Sequence, residues 1–89
     1  MNLEMGRAAG KSFDKLDRGE QTQIKHGIDE LKTIPPQPSG YKHLSGHPKW
    51  YRIRIGDYRV CYKVKDGNVY VGVIAHRREV YRELNRMNS

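Results

Sequence analysis

The 89 residues include a single cysteine, Cys61. No internal disulfide can form, which excludes a secreted disulfide scaffold and makes a reducing cytoplasm the expected compartment. No apolar run approaches the roughly 18 residues that a membrane span requires. No signal peptide is expected ahead of the first charges, and no membrane partner. Internal repeats and low-complexity segments are lacking too. Hydrophobic residues make up 36% of the chain and mean hydropathy is -0.90. That is hydrophilic for a globular chain, but the apolar residues are clustered, which argues against disorder. A chain of this size buries only about 60% of its unfolded surface. One thin-cored domain over residues 1–89 is expected, not a multidomain enzyme.

What the sequence has is positive charge, unevenly spread. Seventeen Lys and Arg face ten Asp and Glu, a net of +7. Residues 1–40 carry six of each sign, so the whole excess lies in residues 41–89, with eleven basic and four acidic side chains. Such asymmetry builds a local positive potential. It fits a polyanionic partner, nucleic acid ahead of acidic protein. The alternative is a solvated basic face that only aids solubility.

The first half reads as helical. Leu3 and Met5 alternate with polar neighbours as in a short strand. Ala9, Phe13 and Leu16 then share one face of a short helix, which Gly10 weakens by about 1 kcal/mol relative to alanine. Asp17 with Glu20 has the spacing of a capping box opening a second helix, and Ile24, Ile28 and Leu31 give that helix its apolar stripe. Pro35 and Pro36 stop it. The expectation is a pair of antiparallel helices, then a connector to Pro48 with Leu44 plugged into the core.

From Trp50 the period changes to two. Three strands are expected, joined by Gly56-Asp57 and Asp66-Gly67 as two-residue hairpin turns. The first turn sets Ile55 against Tyr58, Arg54 against Arg59, Ile53 against Val60 and Arg52 against Cys61. The second sets Val64 against Val69, Tyr62 against Val71 and Val60 against Val73. One sheet face is then apolar throughout and receives the helices, while the other gathers Arg52, Arg54, Arg59 and Lys63. Like charges directly opposed cost a sheet up to about 1 kcal/mol per pair, and such local inconsistency tends to mark functional sites. The competing reading is that the long side chains splay into water.

After the third strand comes His76-Arg77-Arg78-Glu79-Val80-Tyr81-Arg82. Strand parity points His76 at the basic face, with Arg77 and Arg78 at the strand end and Tyr81 just beyond. A phosphodiester over this sheet would meet guanidinium groups from several strands and an aromatic ring able to stack on a base. That suits cleavage of RNA through its own 2′-hydroxyl, which needs in-line alignment, stabilisation of the phosphorane charge and protonation of the departing 5′-oxygen. None of these requires a metal, and no cofactor is expected. His43 and His47 sit four apart, but Gly46 and Pro48 oppose a helix that would align them as ligands. Cys61 reads as a small filler beside Arg52. The Arg82 to Arg86 tail is either a solvated helix end or an RNA contact.

The run Trp50-Tyr51-Arg52-Ile53-Arg54-Ile55-Gly56-Asp57-Tyr58-Arg59-Val60-Cys61-Tyr62, followed by His76-Arg77-Arg78-Glu79-Val80-Tyr81, strongly resembles the RelE toxins of the RelE/ParE toxin–antitoxin superfamily, and Lys42-His43-Leu44 fits the lead-in. The resemblance is specific over residues 42–82. It implies an α+β, RelE-like fold: an N-terminal helical hairpin packed on a small, mainly antiparallel, twisted β-sheet. It implies a type II toxin that cleaves mRNA in the decoding site of the ribosome without metal, leaving a 2′,3′-cyclic phosphate and arresting growth. It also implies a cognate antitoxin that blocks the toxin, with operator DNA met only indirectly through that antitoxin. By position, Arg52 and Arg54 match the two basic residues of the first hairpin strand, and Arg59 the clamp on the scissile phosphate. Arg77 matches the leaving-group acid and Tyr81 the tyrosine that stacks on the reacting nucleotide. Lys42, Lys49, Lys63, Arg78 and Arg82 are the expected further RNA contacts. Arginine is a poor general base because its pKa exceeds about 12. His76 is therefore a candidate for proton transfer, with a structural or positioning role as the other reading. Tyr81 likewise either stacks on RNA or packs on the sheet edge. Two other functions stay open, a ParE-like inhibitor of DNA gyrase without nuclease activity and a catalytically silent nucleic-acid-binding module.

Overall fold

A computed structural model describes residues 2–32, 42–43 and 50–88. The chain opens with a short strand β1 (Asn2–Met5), then α1 (Arg7–Asp14) and α2 (Arg18–Asp29), which ends in a 3-10 turn (Glu30–Lys32). A two-residue strand β2 (Lys42–His43) precedes β3 (Tyr51–Ile55), β4 (Tyr58–Lys65), β5 (Asn68–His76) and a terminal helix α3 (Val80–Asn88). The sheet order is β1-β5-β4-β3-β2, with β1 parallel to β5 and every other pairing antiparallel. The expected short strand at Leu3 and Met5 is therefore an edge of the sheet. Pro35, Pro36, Leu44, His47 and Lys49 lie outside the described residues.

The helical hairpin forms for the local reasons its sequence offers. The Asp17 carboxylate accepts the Glu20 backbone N–H at 2.7 Å, and the Asp17 N–H donates to Glu20 Oε1 at 3.3 Å, closing the capping box. Gln21 Nε2 donates to the Phe13 carbonyl at 2.9 Å, tying the end of α1 to the start of α2. Leu16 lies beyond α1 but still packs on the core. Ile24, Ile28 and Leu31 bury their side chains against Ile53, Ile55, Val60, Tyr62, Val69, Val71 and Ile74 of the sheet. Gly27 lets α2 pass close over β3: a Cβ there would collide with the Ile55 side chain.

Both hairpin turns fall where expected. Gly56 alone has positive φ in the first, at 60°, whereas Asp66 and Gly67 both do in the second, at 53° and 78°. These match the II′ and I′ patterns whose twist suits a tight hairpin. The first hairpin keeps the whole expected register. The second keeps it from Lys65–Asn68 to Tyr62–Val71 and then slips: Cys61 faces Val73 and Val60 faces Ile74, leaving Gly72 without a partner. The expected pairing of Val60 with Val73 is thus corrected by a β-bulge. One extra residue in a ladder of period two moves everything after it to the other face.

Two further corrections follow from the bulge. His76 is displaced from the basic face: it pairs with Tyr58, itself opposite Ile55, on the side that bears the helices. The second face is also not wholly basic. Val73 and Ala75 turn onto it and, with Trp50 and Cys61, form a second apolar cluster capped by Val80 and Leu84 of α3. The uninterrupted run Val73-Ile74-Ala75 marks a strand segment covered on both sides, and Val80 and Leu84, four apart, are the sequence signal of the helix that covers it.

Candidate active site

Arginines converge at the β3–β4 end of the second face. Arg54 and Arg59 are direct cross-strand partners, and Arg52 stands two residues before Arg54 on the same side. Arg59 is 6% exposed, the only buried charged residue among the described residues. Its guanidinium folds back over the hairpin turn, where Nη1 donates to the Gly56 carbonyl at 3.2 Å and to the Tyr58 carbonyl at 2.9 Å. Both Nη1 hydrogens are thereby used, and the Nε/Nη2 edge keeps the parallel donors that grip a phosphate in bidentate fashion.

Burial lowers the Arg59 pKa from its ordinary value, and the nearby charges of Arg54, Arg52 and Arg77 lower it further, with Asp57 opposing them. The turn that holds Arg59 also holds Arg77, whose backbone N–H donates to the Asp57 carbonyl at 2.8 Å. Arg52 is half-buried, and its Nε is shielded from solvent with no hydrogen-bond partner among the described residues. Such groups are costly unless something satisfies them.

The remaining expected residues divide. Tyr81 stands in the first turn of α3 with 48% of its surface exposed. Arg78 is exposed and its backbone N–H donates to His76 Nδ1 at 3.3 Å. His76 therefore braces the turn carrying Arg77 and Arg78, and its ring meets Tyr58 edge-on at 5.8 Å. The Tyr58 hydroxyl has its pKa raised by burial, by a hydrogen bond to Glu20 and by the charges of Glu20, Asp17 and Asp57. Arg82 is engaged with Glu79 at 3.3 Å on the surface. Lys42 pairs with Arg52 through the β2 backbone. Lys63 does not join the arginines: four residues from Arg59, about 13 Å along the strand at the usual rise, its Nζ lies over the rings of Trp50 and Tyr70. Cys61 is fully buried, and burial pushes its thiol up to about 12 against a smaller opposing effect of Arg52, so it is an inert filler. Sequence reasoning missed the part played by the turn backbone at Gly56, Asp57 and Tyr58, because carbonyl groups leave no mark in residue identity.

Residues 3–81 match the family described as the ParE toxin of type II toxin–antitoxin systems. The chain is 32% identical over 85 residues to the protein named RelE1 of Methanocaldococcus jannaschii, covering 91% of this chain and 94% of that one. It is similar to the isolated E. coli RelE toxin, at 29% identity and a TM-score of 0.72, over 99% of this chain and 98% of that one. A chain of the intact E. coli RelBE toxin–antitoxin complex matches with a TM-score of 0.72 at 28% identity, over 84% of this chain and 94% of that one. These matches cover 84–99% of the chain, so the likeness extends well beyond the arginine-bearing strands. By sequence and by fold alike, this protein is a member of the RelE/ParE superfamily of type II toxin–antitoxin toxins.

Proposed function

We propose that this toxin is a ribosome-dependent endoribonuclease that cuts mRNA in the decoding site by attack of a ribose 2′-hydroxyl on the adjacent phosphate. The observation that carries the reading is the gathering of Arg52, Arg54 and Arg77 around buried Arg59 by the β3–β4 pairing and by the Arg77–Asp57 backbone bond. In this reaction the 2′-hydroxyl gives up its proton as its oxygen bonds to phosphorus, the P–O5′ bond breaks, the 5′-oxygen takes up a proton, and the fragment upstream ends in a 2′,3′-cyclic phosphate. Arg59 holds the scissile phosphate through its free edge. Arg52 and Arg54 stabilise the negative charge that grows on the phosphorane oxygens, and the buried Nε of Arg52 gains an acceptor when the phosphate arrives. Arg77, fixed by its bond to the hairpin turn, serves the departing 5′-oxygen. Tyr81, exposed on α3, stacks on the reacting nucleotide. His76 acts by positioning the Arg77-Arg78 turn.

A cognate antitoxin belongs to this reading, as RelB does to RelE in the E. coli complex, and the positive face makes an acidic antitoxin segment its expected cover. Translation in vitro with purified protein tests the proposal by mapping the cut ends. Cyclic phosphate ends, formed with the metal-free protein and lost in Arg59→Ala and Tyr81→Ala variants that keep their fold, are expected. Wild-type rates in both variants would refute the site. The matching family description names ParE, and this favours one rival: failure of gyrase supercoiling while mRNA stays intact would establish it.

A further inference from the structure

Beyond Arg52 the second face of the sheet changes character. Trp50 stands just before β3, and Lys63 and Tyr70 are cross-strand partners on β4 and β5. Lys63 Nζ lies 5.2 Å from the Trp50 ring centre and 5.5 Å from that of Tyr70. The two rings are 6.3 Å apart, tilted by 56°. With Lys65, Glu4 and Asp66 they line an open hollow of ≈ 510 Å³. The strand pairings place it two ladder steps from Arg54 and Arg59 and one from Arg52: Arg54–Arg59–Ala75 first, Arg52–Cys61–Val73 next, Lys63–Tyr70 third. Helix α3 packs on Val73 and Ala75, at the β5 side of the first two rows. Arg54 is exposed and Arg52 half-buried on the β3 side.

We propose that this hollow is a second nucleotide subsite, receiving the base of an RNA residue two positions from the cleaved bond while Lys63 moves from the rings to that residue's phosphate. The inference rests on the nuclease reading above, and three physical arguments carry it. Successive rows are about 7 Å apart, two residues at the usual rise, a step comparable to the separation of neighbouring phosphates in an extended strand. The hollow holds two ammonium groups and two carboxylates, so it has no net charge with which to trap a phosphate or an acidic peptide. The half-exposed Tyr70 ring, backed by the largely buried Trp50, suits instead the flat, uncharged face of a base. Lys63 sits over both rings in a half-exposed position, where a cation–π contact is weak and exchanges readily for a charge-assisted bond to a phosphate oxygen.

Trp50 is the sole tryptophan of the chain, so its fluorescence reports on the hollow directly. The probe is an RNA tetranucleotide with 2′-O-methyl sugars, which binds but is not cut, added to the full-length protein. Saturable quenching of Trp50 is expected. Tyr70→Leu should weaken it about tenfold and Lys63→Gln about threefold, the range expected for one lost stack and one lost phosphate contact. Circular dichroism checks that each variant folds, and Lys63→Gln carries the test if Tyr70→Leu does not. Unchanged Trp50 emission while anisotropy of a labelled tetranucleotide shows saturated binding would overturn the proposal. So would equal quenching by polyglutamate, which would make the hollow a dock for an acidic peptide. Quenching sensitive to Lys63→Gln in a protein that fails to cut mRNA would sink the nuclease reading and leave the subsite standing. Cleavage without quenching would do the reverse.

Discussion

The two faces of the sheet differ in how many buried apolar residues they carry, seven against four among the described residues, and in how they use them. On the helix-bearing face, Ile53, Ile55, Val60, Tyr62, Val69, Val71 and Ile74 form one apolar floor under α1 and α2, with no charged residue in the cluster. On the other, an apolar patch of Trp50, Cys61, Val73 and Ala75 under α3 adjoins opposed arginines and a lysine parked on aromatic rings. One face is arranged for burial. The second splits its area between burial and a concentration of like charge that opposes folding. The lesson is that the arginines are held together against their mutual repulsion by packing elsewhere, on the first face and beneath α3.

The sharpest break of this comparison comes from truncating each apolar cluster. Ile24→Ala and Leu84→Ala each remove a fully buried side chain and should each cost about 2–5 kcal/mol, the usual range for such cavities. Urea denaturation measures the loss. If both clusters support the fold, both variants shift the midpoint; a Leu84→Ala protein of unchanged stability would show that α3 is merely laid on the surface.

The second face also contains a pH-sensitive element. The Cys61 thiol has a native pKa of about 12, above the ordinary 9.0. The native state therefore holds its proton where the unfolded chain has lost it, and stability falls as pH rises from about 9 towards 12. The slope approaches about 1.4 kcal/mol per pH unit. Comparing wild type with Cys61→Ala by denaturation at pH 8 and pH 10.5 checks this, the extra alkaline loss being present only with the thiol.

A smaller effect has the opposite sign. Arg54→Thr removes one of two directly opposed cations and leaves a residue that favours strands. It should raise stability by up to about 1 kcal/mol while lowering cleavage. A destabilised Arg54→Thr protein would mean that the arginines are not in conflict. The smallest change is expected at Arg82, whose ion pair with Glu79 is well exposed on both sides. Arg82→Ala should alter stability by less than about 1 kcal/mol, and a larger loss would reveal a structural role for the α3 surface.

Much of this architecture was legible in the chain because the signals are local. The Asp17–Glu20 cap, the Ile24-Ile28-Leu31 stripe, both turns and the Arg54–Arg59 pairing each depend on residues near in sequence or joined by a two-residue turn. The bulge at Gly72 was not legible, since a glycine in a strand is compatible with either register. Its position depends on which arrangement lets Val73 and Ala75 meet Val80 and Leu84. The place of His76 was lost with it, one slipped residue being enough to carry a side chain through the sheet.

Sequence by itself determined the helical hairpin, the order and turns of the long strands, and the confinement of excess positive charge to the second half, because propensity, capping and two-residue turns act over a few residues. Tertiary structure alone decided that Arg59 is buried and bound to its own turn, that Arg77 joins it, and that Lys63 sits apart on Trp50 and Tyr70. Those outcomes depend on contacts between strands and on the docking of α3, and such contacts exist only once the sheet has closed.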